Sequence, residues 1–360
     1  MKHIVRALGV GLATMGLLAA TAPGALAAPS YTPVNPGDVV KARPVSLAEA
    51  SSAGQKNRVA LASADAGVYA DVFPFCADVE GGGLQGGVEW EVTNDTDAAG
   101  WAKVAVTRIN ERPQAWETVN AESGQTVQAA VAIQDAATVR VWAETSTGED
   151  WDTMLSLPDC IGGDPFTDSD YFEDQFGMEI DWMAQTGLST GWDEGDGTHT
   201  YRGLQPMNRN AMAAFLYRLA NKPDFTPPAK QTFTDVTPSS PFYKEIEWLA
   251  STGISTGWAE AGGKRTFRPY TSVNRDAMAA FLYRFAGEPD FGFEPGYVWF
   301  DDVPEGTEHF VAMAWMAETG ISTGWDTGAE LPEYRPWNSV NRDAIAAFIF
   351  RLVDAASRPE

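Results

Sequence analysis

The sequence predicts a multidomain protein: an N-terminal all-β, immunoglobulin-like sandwich, then a C-terminal all-α unit of repeats arranged as a pseudo-threefold trimer. Three observations carry this. Residues 67–161 contain short runs that alternate apolar and polar. Two cysteines, Cys76 and Cys160, bracket those runs. From residue 166 onward, one block of sequence recurs with a period of 66 or 67 residues.

The chain of 360 residues opens as an export signal would. Lys2 and Arg6 precede an apolar run to about Ala20, and Ala25-Leu26-Ala27 forms a small-x-small cleavage site. Residues 1–27 are therefore expected to be a signal peptide. No later apolar run reaches about 18 residues, so membrane insertion is not expected. Losing Lys2 and Arg6 takes the formal charge from −24 to −26, the −24 less these two bases. Such a chain repels nucleic acid and anionic lipid at long range, and an anionic ligand needs a local basic pocket. Residues 28–66 are rich in Pro, Ser and Ala without sustained periodicity, and read as a flexible arm.

Within 67–161, Val88, Trp90 and Val92 alternate with polar neighbours. So do Val104 and Val106, Val127 to Ile133, and Val139 and Val141. Turn clusters at 94–97 and 122–125 separate them. Short strands at roughly ten-residue spacing fit a small antiparallel sandwich. In an exported chain, Cys76 and Cys160 most simply form one disulfide joining the first strand to the end of the last. Trp90, Trp101, Trp116, Trp142 and Trp151 read as packing residues in preference to a sugar platform. Two cysteines and three histidines offer no thiolate zinc set. Asp193, Glu194 and Asp196 are not repeated and do not match an EF-hand loop. Neither a metal nor a cofactor is expected.

The repeats are placed at 166–220, 233–286 and 300–353. F-T-D at 166–168 recurs at 233–235, and as F-D-D at 300–302. Each copy reads as two helices. In the second copy the first helix runs from about Pro241 to Thr252, with Phe242, Ile246 and Leu249 on one face and Gly253 as C-cap. The second helix starts at an N-cap Asn274 and carries Met278, Phe281, Leu282 and Phe285 as its apolar stripe. Two helices cannot bury both faces alone, whereas three copies around an axis can.

Between the helices stands G-I-S-T-G-W, at 253–258 and 320–325, with G-L-S-T-G-W at 187–192. It contains G-x-S-x-G, the nucleophile-elbow pattern. An elbow needs a strand before the serine, a helix after it and a histidine in reach. Here a helix precedes each serine, and the second copy has no histidine. No catalytic residue is therefore assigned to Ser189, Ser255 or Ser322, and the motif reads as a helix stop and turn.

Three arginine columns recur in phase: Arg202, Arg268 and Arg335; Arg209, Arg275 and Arg342; Arg218, Arg284 and Arg351. A single acidic column, Asp168, Asp235 and Asp302, recurs with them. Arg218, Arg284 and Arg351 end a helix, where a cation suits the macrodipole. Arg202, Arg268 and Arg335 read equally as salt bridges or as groove lining. Arg209, Arg275 and Arg342 follow Asn208, Asn274 and Asn341 in a first helical turn, where the dipole disfavours a cation. Beside free helical N–H groups they would form an anion site, unless they pair with the acidic column or with Asp276 and Asp343. Trp182, Trp248 and Trp315 fall inside a helix and read as core. Trp192, Trp258 and Trp325 follow the turn and read as groove residues able to stack on a sugar.

At these residues the chain strongly resembles the S-layer homology (SLH) repeat of actinobacterial secreted proteins. The resemblance rests on F-T-D-V and F-D-D-V, G-I-S-T-G-W, F-R-P and V-N-R-D-A-M-A-A-F-L-Y-R, and spans about Phe166 to Val353. It implies a three-pronged pseudo-trimer with a central helical bundle. It also implies non-covalent attachment to a secondary cell-wall polysaccharide in grooves between repeats. The family's T-R-A-E arginine, which contacts an acidic sugar, corresponds to Arg209, Arg275 and Arg342. The chain departs from that motif at Asn208, Asn274 and Asn341, and at Ala211, Ala277 and Ala344. The expected ligand is an acidic wall glycan, held by these arginines and asparagines, the three groove tryptophans, and Arg202, Arg268 and Arg335. The expected protein is a non-enzymatic, secreted surface protein that displays the sandwich as an interaction or spacer module. The alternatives are an SLH-anchored carbohydrate-active enzyme or an S-layer subunit.

Overall fold

The computed structural model describes residues 42–45, 67–79, 83–133, 136–293 and 296–359. The expected signal peptide lies outside these residues, as does most of the expected arm. The chain divides into two compact units.

The first unit holds two antiparallel four-stranded sheets. One has the order β1 (Ala42–Val45), β6 (Thr126–Ile133), β3 (Gly83–Asn94), β2 (Val68–Val79). The other has the order β5 (Glu117–Ala121), β4 (Gly100–Thr107), β7 (Thr138–Thr145), β8 (Asp150–Ser156). Strand β1 corrects the reading of 28–66 as arm throughout: it pairs with β6, Ala42 opposite Ile133. The alternation works as expected, because every second side chain of a strand faces the same side. Val68, Val72, Val88, Val92, Val139, Val141 and Leu155 are fully buried. Trp90 and Trp142 join the core, whereas Trp116 is exposed.

The 94–97 turn is tied to the second sheet by Asn94, itself fully buried. Its Nδ2 donates to the Ala98 and Ala121 carbonyls (2.9 and 2.8 Å), and its Oδ1 accepts from Thr96 N (2.9 Å). Cys76 in β2 and Cys160 beyond β8 form the expected disulfide, with Cα atoms 5.6 Å apart. Helix α1 (Gly177–Gln185) belongs to this same unit. Tyr171 Oη donates to the Ser156 carbonyl, and Gln185 Nε2 to the Leu157 carbonyl at 2.9 Å. The helix and the ribbon β9–β10 (Trp192–Asp193, His199–Thr200) of the segment expected as the first repeat, 166–220, group with the sheets.

The second unit, Gly187–Ser189 with Arg202–Ala356, carries the remaining repeat elements. They are α2 (Arg209–Leu219), α3 (Tyr243–Ser251), the ribbon β11–β12 (Trp258–Ala259, Arg265–Thr266), α4 (Arg275–Phe285), α5 (Phe310–Glu318) and α6 (Arg342–Ser357). Ile246, Leu249, Met278, Phe281, Leu282 and Phe285 are buried, as the helical periodicity requires. Phe242 departs from its expected place on the apolar face. It is the N-cap of α3 in the left-handed region, φ 59°, and is exposed.

The second helices α2 and α4 each pack on the next first helix through an aromatic pair. Tyr217 meets Trp248 edge-on at 5.4 Å between centroids, and Tyr283 meets Trp315 at 5.5 Å. Trp182, Trp248 and Trp315 are all buried, as expected of core. A ring of backbone hydrogen bonds joins the three segments ahead of the second helices. Met207 N donates to Val340 O (2.9 Å), Val340 N to Val273 O (2.9 Å) and Val273 N to Met207 O (2.8 Å). All three residues are buried, so the ring satisfies polar groups that water cannot reach.

Candidate functional site

The turn motif is a structural unit. Helix α3 ends at Thr252, Gly253 follows at φ 78°, and Ile254 is buried. Gly257, at φ 62°, is a glycine for a second reason. A Cβ there would lie 2.4 Å from the Phe233 ring and 2.5 Å from the Thr266 carbonyl oxygen. Gly191 faces Phe166 and Thr200 in the same way, and Gly324 faces Phe300 and Glu333. The repeated F-x-D phenylalanine is thus the partner of the repeated second glycine. Ser189, Ser255 and Ser322 are buried, and Ser322 Oγ has no hydrogen-bond partner. Arg218, Arg284 and Arg351 donate to the turn carbonyls of Leu188, Ile254 and Ile321 (2.9, 3.4 and 3.4 Å).

The acidic column holds backbone. Asp235 accepts Phe267 N and Arg268 N at 2.8 and 2.7 Å. Asp302 accepts Tyr334 N and Arg335 N, both at 2.7 Å, and Asp168 accepts Tyr201 N at 2.6 Å. These bonds fix an unusual conformation: Arg202, Arg268 and Arg335 have φ of 59°, 56° and 58°. Left-handed backbone is costly for a side chain with Cβ, and charge-assisted bonds to two successive N–H groups offset that cost at Arg268 and Arg335.

So placed, Arg268 lies over Trp258 (4.4 Å from guanidinium carbon to ring centroid) and pairs with Glu260 at 3.2 Å. Arg335 lies over Trp325 at 4.7 Å and pairs with Glu333 at 2.9 Å. Both residues thus form ion pairs, one of the two alternatives for this column, and Arg268 also lines the cavity described below.

Arg209 and Arg275 reach from one repeat into the next. Arg209 Nε donates to the Phe267 carbonyl at 2.8 Å, and its guanidinium lies 4.3 Å from the Trp258 ring centre and 5.0 Å from that of Phe281. Arg275 Nε donates to the Tyr334 carbonyl at 2.7 Å and lies 4.1 Å from Trp325. Both are buried, and among the described residues neither has an ion-pair partner. Burial, with Arg268 nearby, pushes the Arg209 guanidinium down to about 10, and burial lowers Arg275 as well. Arg342, also buried, lies 5.4 Å from the Phe215 ring centre.

Two expectations about this helix start are corrected. Asn208 and Asn274 occupy the N-cap position without a side-chain cap hydrogen bond. The first helical N–H groups are not free. Arg209 N and Asn210 N donate to Thr271 O and Pro269 O, Arg275 N and Asp276 N to Asn338 O and Pro336 O, and Arg342 N and Asp343 N to Gln205 O and Gly203 O. Carbonyls of a neighbouring loop take the role expected of an anion, because that loop is held against the helix start by the backbone ring. Any anion must therefore meet the guanidinium side chains.

A cavity of about 510 Å³ opens beside Arg209, Trp258, Arg268 and Asn274. It is also lined by Asp276, Glu308, His309 and exposed Trp337. The last four were not singled out from sequence for this site. In the sequence, histidine counted only through its absence from the second copy, and Asp276 only as a partner for an arginine. Trp192 and Trp325 sit on equivalent ribbons: Trp192 pairs with Thr200, and Trp325 bridges to Glu333. Among the described residues, no helix is long and apolar enough to cross a membrane.

No curated protein matches the chain. One solved structure, a FixG-related protein from Vibrio parahaemolyticus, is similar at 11% identity over 25% of this chain and 94% of that chain. Its TM-score of 0.19 is too low to bear on the fold. Residues 232–279, which run from the buried F-T-D phenylalanine through the turn motif into α4, match the family model of the S-layer homology domain. The chain therefore carries an S-layer homology domain at residues 232–279.

Proposed function

We propose that this is a secreted surface protein held non-covalently on an acidic cell-wall polysaccharide by three SLH repeats, displaying the immunoglobulin-like β-sandwich as an interaction or spacer module. The observation that carries the reading is the pair of buried, unpaired guanidiniums, Arg209 and Arg275, in a chain of formal charge −24. The nearby acids Asp235 and Asp302 are engaged by backbone N–H groups and form no ion pair with these arginines; a buried cation without an ion pair is costly, and an anionic ligand supplies one. Trp258 and Trp325, each already beneath two arginines, hold those guanidiniums in place with their ring faces. The threefold backbone ring supports reading the three repeats as one pseudo-threefold trimer. Arg342, Asn208, Asn274, Asn341 and Trp192 are assigned to the equivalent grooves on sequence phase.

The test is co-sedimentation of the full mature chain with cell walls of the source organism. The chain should pellet with them and be released when wall polysaccharide is removed. A folded chain that stays in the supernatant sinks the proposal. Replacing Arg209, Arg275 and Arg342 together by Gln should weaken binding at least about tenfold, since a charge-assisted contact is worth roughly 1.5–3 kcal/mol. Unchanged binding by a folded variant would remove those residues from the site.

A further inference from the structure

The cavity beside Arg209 is charged in a way that an anion alone does not explain. Six charged or titratable side chains line it: Arg209, Arg268, Asp276, Arg284, Glu308 and His309. Arg268 is paired with Glu260 at 3.2 Å, and Arg284 with Glu288 at 3.8 Å. Glu308 lies 3.8 Å from His309 and is largely exposed to water. Among the described residues, Arg209 and Asp276 have no ion-pair partner, each is 5% exposed, and they do not pair with each other. Burial holds the His309 imidazole below its usual range, so at neutral pH it brings Asp276 little positive charge. Burial likewise raises the Asp276 carboxyl, as expected of an anion whose desolvation is poorly compensated.

Resting on the glycan-binding reading above, we propose that this groove selects a dipolar sugar: one that places an anionic group at Arg209 and an unacylated, protonated amine at Asp276. One cavity wall then compensates both ends of the ligand, and each ligand charge compensates a buried protein charge. An N-acylated sugar would satisfy Arg209 and leave Asp276 without its counter-ion. The first repeat has Asn210 at the position of Asp276, and the third has Asp343, which is only half-buried, so the fully buried carboxylate belongs to this groove.

The test uses the full chain and two commercial probes by calorimetry or ligand-observed NMR: muramic acid, with a carboxylate and a free amine, and N-acetylmuramic acid, which keeps only the carboxylate. Muramic acid should bind at least about tenfold more tightly, the equivalent of about 1.4 kcal/mol. Asp276→Asn should abolish that preference while leaving N-acetylmuramic acid binding unchanged. Arg209→Gln should weaken both probes. Equal affinity of the two probes for the unaltered chain, with Arg209→Gln still weakening both, overturns the dipolar selectivity and leaves the anion site standing. A preference that survives Asp276→Asn also overturns it. Binding of neither probe overturns it together with the anion-site reading.

Discussion

Two glycines of the same turn, Gly253 and Gly257, should respond very differently to one added methyl group. Gly253 has φ 78° and Gly257 φ 62°, so alanine at either must enter the left-handed region. That costs roughly 1–2 kcal/mol, offset by about 0.4–1 kcal/mol through a stiffer unfolded chain. At Gly253 nothing lies within 4 Å of the new Cβ, so the net loss should be about 1 kcal/mol. At Gly257 the Cβ meets the Phe233 ring at 2.4 Å and the Thr266 carbonyl oxygen at 2.5 Å. The ring is fully packed and the carbonyl belongs to the β11–β12 ribbon, so neither can yield without moving Trp258. Overpacking of this kind adds roughly 1–3 kcal/mol, for a total of about 2–4 kcal/mol. In a unit of this size the melting transition should fall by roughly 5–15 °C for Gly257→Ala and by only a few degrees for Gly253→Ala. Thermal and urea unfolding followed by tryptophan fluorescence would measure both. Equal losses for the two variants, or a Gly257→Ala variant as stable as the parent, would refute the account of the turn as a Phe–Gly packing unit.

The other predictions concern single side chains. Asp235→Asn keeps the shape but loses the charge that holds Phe267 N and Arg268 N, and should cost about 1–3 kcal/mol in urea unfolding while weakening wall binding. No change in either measurement would contradict its role in holding Arg268 left-handed. Ser322→Ala removes a buried hydroxyl without a partner, and should be neutral or stabilising and leave wall binding intact. Loss of binding would return the serine to the site.

Asp181, in α1, is raised to about 7, first by burial and further by Asp164 and Asp159, against a hydrogen bond from Gln185. Its folded form holds the proton more tightly than the unfolded chain. Its contribution is therefore most favourable below about pH 4 and is lost as pH rises toward 7. Asp181→Asn should remove that slope and stabilise the sheet unit at pH 7 by up to about 4 kcal/mol. A pH–stability profile unchanged by the substitution would exclude this linkage.

How much of this was legible in the sequence depended on whether a residue acts along its own chain or across to another segment. Alternation gave the sheet positions of Val88, Trp90 and Val92, and helical spacing gave Met278, Phe281 and Leu282. Both follow from local backbone geometry. The starts of the second helices were misread because their N–H groups are satisfied by carbonyls about 60 or more residues away, such as Thr271 O for Arg209 N and Gln205 O for Arg342 N. No local pattern encodes that. The acidic column looked like a set of ion-pair partners, yet Asp235 and Asp302 spend both oxygens on backbone. Repetition marked them as important without saying to what. Asp276 was noticed only as a partner for an arginine, and His309 was passed over because it occurs in one repeat and repetition cannot flag what occurs once.

The same wiring bears on what the unit of binding is. Arg209 comes from one repeat, but Phe267, Trp258 and the carbonyls at Pro269 and Thr271 that hold its helix start come from the next. Arg275 depends in the same way on Tyr334, Trp325, Pro336 and Asn338. Neither groove is therefore built from a single repeat. The backbone ring extends the dependence, because breaking any of its three bonds leaves a buried donor and a buried acceptor unsatisfied, at roughly 1–3 kcal/mol each. Deleting one repeat should thus cost more than one groove: it opens the ring and loosens the helix start that aims the remaining arginine. Affinity for the wall should fall by far more than a third when residues 300–353 are removed. A truncated chain that keeps two-thirds of its binding sites at unchanged affinity would show instead that each repeat acts alone.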